Sequence, residues 1–147
     1  MRKRLSAVIS IKGNLALDSG VLVEIFADSV LGKAIYDILQ DGDVTAYTSR
    51  VNLAEATYVT CRKMGHERAQ LAARDLVDSG FITVREDMRI HSKASEIKCE
   101  RAMSFVDCYT FAVATVTEST PVFATGEAEI VREMKKKPFD IQPVFLS

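Results

Sequence analysis

The run Leu15-Ala16-Leu17-Asp18-Ser19-Gly20-Val21-Leu22-Val23 decides how this chain is read. Leu15 to Asp18 has the apolar character of a strand, Ser19-Gly20 breaks it, and Val21 to Ala27 has the spacing of a short helix. The acidic residue that closes the strand stands where open α/β sheets hold their ligands, at the carboxyl edge. Asp is also a favoured helix cap, so capping explains Asp18 in isolation as well as catalysis does.

Working outward, the chain alternates β-rich and helical stretches. A helix over Ser29–Gln40 ends in the turn Asp41-Gly42-Asp43, and Val44–Thr48 alternates as a second strand. Arg50–Met64 has helical spacing closed by Gly65, and His66–Ser79 is a further helix closed by Gly80. A strand over Phe81–Val84 leads to an amphipathic helix over Asp87–Glu100 and an apolar helix over Ser104–Thr117. A strand over Pro121–Ala124, a helix over Glu127–Lys137 stopped by Pro138, and a strand over Ile141–Phe145 complete the pattern. Strands separated by helices imply βαβ crossovers, hence a three-layer α/β fold with a central, mostly parallel sheet flanked by helices. The 147 residues make one domain, with residues 1–14 read as an N-terminal β extension.

Composition removes several classes of function. The hydrophobic share of 48% fits a globular chain, and no apolar run reaches the roughly 18 to 20 residues that cross a bilayer. The basic, then apolar, start is interrupted by Lys12 without a cleavage pattern, so a cytoplasmic protein without membrane attachment is expected. With a formal net charge of −1, no global positive field draws in nucleic acid; such binding must be local and helped by metal. Cys61, Cys99 and Cys108 form no CxxC pair and are expected as reduced, buried thiols. His66 and His91 are too few and too separated for a zinc site.

Three further acids share the setting of Asp18. Glu55 lies early in its helix among Leu53, Ala54, Ala56 and Tyr58, where an inward carboxylate needs a partner; a capping box with Ser49 or Asn52 is the ordinary account. Asp107 heads the apolar helix in Ser104-Phe105-Val106-Asp107, which is also a capping box with Asp for Glu. Glu127 follows Thr125-Gly126 on a first helical turn, where the macrodipole favours acids; Glu129 competes for any role there. Four carboxylates converging at one sheet edge repel unless a cation sits among them. Hard divalent ions such as Mg²⁺ take oxygen ligands, so the pattern points to a metal-dependent enzyme acting on phosphate.

In order, Leu15-Ala-Leu-Asp-Ser-Gly-Val-Leu-Val, Thr48-Ser-Arg-Val-Asn-Leu-Ala-Glu-Ala-Thr-Tyr, Ser104-Phe-Val-Asp-Cys-Tyr-Thr-Phe-Ala-Val-Ala and Val122-Phe-Ala-Thr-Gly-Glu resemble the PIN domain, a small metal-dependent nuclease fold. Size and order are similar to the VapC-type toxins of toxin–antitoxin pairs. The resemblance implies an Mg²⁺- or Mn²⁺-dependent endoribonuclease leaving a 3′-hydroxyl and a 5′-phosphate. It makes Asp18, Glu55 and Asp107 the core acids and Glu127 a fourth, all four catalytic and metal-binding. Ser19 matches the small hydroxyl residue after the first acid. Arg50 and Arg101, which precede two of the acid-bearing helices, are candidates to hold RNA beside Ser19, although a solvated surface charge is the ordinary account of each. A small antitoxin protein and a homodimer are the partners implied. Two positions depart from the pattern: Glu127 stands where Asp is usual, and Gly20 where Asn or Ser is frequent. Those departures motivate an alternative, a PIN-like regulatory or scaffold protein with impaired catalysis. A receiver-like phosphoacceptor domain ranks below both, because no paired acids precede the first helix and no late-strand Lys supplies the counter-charge.

Overall fold

The computed structural model describes residues 11–147. Five strands, β1 (Gly13–Leu17), β2 (Val44–Ser49), β3 (Ile82–Arg85), β4 (Thr120–Phe123) and β5 (Val144–Phe145), form one sheet in the order β3-β2-β1-β4-β5. All four pairings are parallel, so the expected mostly parallel sheet is wholly parallel among the described residues. Seven helices join the strands: α1 (Ser19–Phe26), α2 (Val30–Asp41), α3 (Arg50–Met64), α4 (His66–Asp78), α5 (Met88–Glu100), α6 (Phe105–Thr117) and α7 (Ala128–Lys136).

The three layers follow from the strand period. Successive side chains leave a strand on opposite faces, and β1 is buried on both. Leu15 and Leu17 face a core shared with Val21, Leu22, Ile35 and Leu76, from α1, α2 and α4. Ala16 faces a second core built from Ile90, Cys108, Phe111 and Ile130, from α5, α6 and α7. Val122 and Phe123 of β4 divide between the two cores in the same way. Phe123 is fully buried, and truncating it to Ala is expected to cost about 3–5 kcal/mol. Where α2 crosses the end of α1, a Cβ on Gly32 would lie 2.0 Å from the Glu24 carbonyl oxygen, so only glycine fits.

Several boundaries move, each for a local reason. Ser19-Gly20 does not break the chain; it forms the first turn of α1, because Asp18 caps that turn by accepting from the Gly20 N–H at 3.3 Å. The last strand shrinks to Val144–Phe145, since Pro143 offers no N–H to a ladder. Asp87, Ser104 and Glu127 are the capping residues of α5, α6 and α7 rather than their first helical residues. Of the N-terminal β extension, residues 1–10 lie outside the described residues, and Gly13-Asn14 belong to β1. The three cysteines are free, but only Cys108 is buried; Cys61 is half-buried and Cys99 is exposed on α5. No helix among the described residues is long and apolar enough to cross a membrane.

Candidate metal centre

The connection from β1 runs to β2 on one side, whereas β4 returns to the other side of β1. A crevice opens at the carboxyl ends of strands where the order reverses in this way. Asp18 follows β1 and Glu127 follows β4, so the two acids flank the reversal. Asp107 comes from the first turn of α6, which packs against β1 and β2. One carboxylate oxygen from each of Asp18, Asp107 and Glu127 lies within 4.8 Å of the others.

Local chemistry explains how each acid is presented. Asp18 is both cap and cluster member: Oδ2 takes the Gly20 N–H, while Oδ1 takes the Thr110 hydroxyl at 2.7 Å. The expected capping box at Asp107 is only half formed. Ser104 Oγ accepts from the Asp107 N–H at 3.1 Å, but the Ser104 N–H donates to Glu129 Oε1, also at 3.1 Å. Glu129 thus does the work the Asp107 carboxylate would have done and leaves that carboxylate free to face the crevice. Glu127 sits at the cap position of α7 without a side-chain capping bond, so its carboxylate is free as well.

The electrostatics are severe. Two unit charges about 4.8 Å apart repel by roughly 3 kcal/mol at an effective dielectric near 20. None of the ion pairs among the described residues includes any of the three acids. Asp18 and Asp107 are each only 4% exposed. Burial pushes the Asp18 carboxyl up from an ordinary 3.8 to about 6, against the opposing pull of the Thr110 and Gly20 hydrogen bonds, and Glu127 adds to the rise. Burial drives Asp107 higher still, helped by the nearby carboxylates of Glu127 and Asp18. Its Oδ2 is buried with no hydrogen-bond partner. An orphaned carboxylate oxygen beside two other carboxylates, none of them ion-paired among the described residues, is the donor set a hard divalent ion takes. The residues fit Mg²⁺ or Mn²⁺.

The remaining candidates separate. Glu55 is half-buried on α3, one turn beyond Asn52, and is not among the residues whose oxygens fall within that 4.8 Å. Ser19 is buried and its Oγ accepts from Asn52 Nδ2 at 3.2 Å. Arg50 opens α3, largely exposed and paired with Glu86 at 2.8 Å. Arg101 is committed elsewhere. Its guanidinium donates to the carbonyls of Glu133, Lys137 and Pro138 at the end of α7 and lies 4.0 Å over the Phe139 ring.

Two site residues lay outside the sequence reading as functional groups. Asn52, wholly buried, sends Nδ2 towards Thr110 Oγ1 (2.9 Å), Ser19 Oγ (3.2 Å) and Asp18 Oδ1 (3.4 Å). Thr110 completes the arrangement by donating to Asp18. The available signal was a polar residue three positions after Asp107, on the same face of an otherwise apolar helix. Ser49 caps α3 by accepting from the Asn52 N–H and hydrogen-bonds the Asn52 side-chain oxygen, which fixes that amide with Nδ2 towards the acids.

Comparison with known proteins agrees with this geometry. A family model described as the PIN domain matches residues 15–136. No curated protein matches the chain. Among solved structures, VapC20 of Mycobacterium tuberculosis, a sarcin-ricin loop cleaving toxin, is similar with a TM-score of 0.62 and 19% identity, over 82% of this chain and 94% of that one. VapBC2 of Rickettsia felis bound to a promoter DNA fragment has a TM-score of 0.63 and 14% identity, over 90% of this chain and 96% of that one. A toxin–antitoxin complex from Klebsiella pneumoniae has a TM-score of 0.58 and 12% identity, over 90% and 98%. At these identities the likeness is one of fold, while the family match spans every element from β1 to α7: the chain belongs to the PIN domain family.

Proposed function

We propose that the protein is a Mg²⁺- or Mn²⁺-dependent endoribonuclease, the toxin of a toxin–antitoxin pair. The observation that carries this is the meeting of three carboxylate oxygens within 4.8 Å, one residue of which keeps a buried, partnerless oxygen. Divalent ions bound at such a site stabilise charge on a phosphodiester and lower the pKa of a bound water. Asp18 and Asp107 hold the principal ion, and Glu127 completes the site. Glu55 orients the attacking water from the next turn of α3. Thr110 and Asn52 fix the Asp18 carboxylate, and Ser19 lies beside it. Arg50 can exchange its exposed pairing with Glu86 for a phosphate. The products are a 3′-hydroxyl and a 5′-phosphate.

The named structural neighbours support the toxin reading: one is a loop-cleaving toxin and two are toxin–antitoxin assemblies. On this reading a small antitoxin protein is the partner of the chain, and a homodimer, which the resemblance implies, its assembly. The test is cleavage of single-stranded RNA with Mn²⁺ by the wild type, Asp18→Asn and Asp107→Asn. Cleavage is expected only from the wild type, with all three folded. Equal cleavage by both variants would overturn the assignment.

The catalytically impaired reading rests on Glu127 and Gly20. Against it, the longer Glu127 side chain reaches the cluster, and the Gly20 N–H supplies a polar contact to Asp18 through the backbone. A scaffold without catalysis would show no carboxylate-dependent Mn²⁺ binding.

A further inference from the structure

A cavity of about 270 Å³ opens at the same sheet edge, beyond the carboxyl ends of β2 and β3, with Arg50, Arg85, Asp87, Met88, His91 and Tyr109 in its wall. Its position relative to the metal centre follows from the chain. Tyr109 lies two residues after Asp107, about 3 Å of rise along α6 but roughly 200° around it, so it leaves the helix on the side away from the acid, together with Phe105. Arg50 lies two residues before Asn52, whose amide reaches towards Asp18. Cavity and acids therefore lie at one sheet edge but on opposite sides of the first turns of α3 and α6, which contribute residues to both.

We propose that this cavity is a base subsite, seating one unstacked nucleobase of a single-stranded RNA whose backbone is also held at the metal centre. The proposal rests on the nuclease reading of that centre and adds to it where the neighbouring nucleotide goes. Single-stranded RNA is recognised by stacking splayed bases on aromatic rings and reading their edges with polar groups. The wall has both. Tyr109 is half-buried and held edge-to-face by Phe105, ring centroids 5.1 Å apart, which leaves a braced ring at the cavity. Phe105 is 45% exposed and Met88 71%, a large apolar surface for the head of two helices in a folded chain. Around these, Arg85 and His91 offer donors and Asp87 offers an acceptor, with Arg85 Nε bound to Asp87 Oδ1 at 3.0 Å so that both edges are set. Arg50, paired with Glu86 in the cavity wall, presents an exposed guanidinium that a backbone phosphate can take over. The volume suits one planar ring and is below that of a cofactor pocket.

The test uses the full chain with two variants, His91→Ala on the exposed face of α5 and Tyr109→Leu, and Tyr109→Phe as the conservative control. For Mn²⁺-dependent cleavage of a mixed-sequence single-stranded RNA, Tyr109→Leu should raise KM roughly tenfold, the loss of one base-stacking contact, and His91→Ala roughly fivefold, the loss of one donor to the base edge. They should also redistribute the cut sites, leaving kcat and Mn²⁺ affinity unchanged, and Tyr109→Phe should restore KM. Unaltered KM and cut sites in both variants would overturn the proposal. A second arm needs no cleavage: titration of the metal-free protein with AMP, CMP, GMP and UMP, followed by amide chemical shifts. Shifts confined to the cavity wall support a base subsite, and none at millimolar nucleotide overturns it. If the wild type cleaves no RNA, the nuclease reading fails, while this arm still decides whether the cavity takes a base.

Discussion

The two ends of α7 treat a buried acid in opposite ways. Near its carboxyl end, Glu133 is 3% exposed, yet Lys136 lies 3.2 Å away and Arg101 closes the same corner through the Glu133 carbonyl. Burial pushes Glu133 up, but the Lys136 ammonium reverses that and holds the carboxyl below its usual range, with Arg101 contributing. At the amino end, Glu127 meets Asp18 and Asp107, and no ion pair among the described residues reaches any of the three. This fold neutralises a buried carboxylate where neutralisation is structural. Leaving three uncompensated in one place is an arrangement that an external cation completes.

The sharpest way to break that comparison is to remove one carboxylate charge at each end. Asp107→Asn should reduce Mn²⁺-dependent cleavage to background. In metal-free protein it should raise stability by about 1–3 kcal/mol, because a buried carboxyl that must take up a proton on folding is replaced by a neutral amide. Glu133→Gln should do the reverse, lowering thermal stability while keeping Mn²⁺ binding. Thermal melts with and without EDTA check both; destabilisation of the metal-free protein by Asp107→Asn would break the contrast.

An effect of comparable size is expected from pH. Asp18 rises from 3.8 to about 6, so its contribution to metal-free stability is fully present below about pH 4 and is lost as pH climbs through about 6. The loss is about 3 kcal/mol, because the folded state binds the proton that the unfolded chain has released. Asp107, raised further, extends the loss to higher pH. Saturating Mn²⁺ should flatten or invert this slope, since its ligands must be deprotonated. Denaturant midpoints at pH 4 and pH 7, with and without metal, measure it; equal metal-free midpoints would contradict it.

Next comes the hydrogen-bonding shell. Thr110→Val keeps the shape but removes the donor to Asp18, and should weaken Mn²⁺ binding and activity roughly 10- to 100-fold. Thr110→Ser should recover most of both, an outcome that packing alone would not give. The smallest effect belongs to Arg50→Ala. Its exposed pair with Glu86 is worth less than about 1 kcal/mol, so melting should barely move while KM for RNA rises a few-fold.

Much of this was legible in the residues. Leu15–Asp18 announced a strand ending in an acid, and the alternation of strands and helices announced the layers, because hydrophobic period and turn residues are local signals. What stayed hidden needed contacts between distant segments. Asn52 reads as a cap, and only the approach of β1 and α6 turns its amide towards Asp18. The freedom of the Asp107 carboxylate depends on Glu129, more than twenty residues away, taking the Ser104 N–H. Arg101 sits beside an acid-bearing helix in sequence, yet folding carries its guanidinium to the end of α7. Glu55 is apolar-flanked in sequence but is half-buried outside the 4.8 Å group, so its part in catalysis remains a proposal that Glu55→Gln kinetics would decide.

The most direct measurement is Mn²⁺ binding to the full chain, read from free Mn²⁺ by electron paramagnetic resonance. Saturable binding is predicted for the wild type and for Glu133→Gln, with loss in Asp107→Asn. A wild type that binds Mn²⁺ no more tightly than Asp107→Asn would contradict the account.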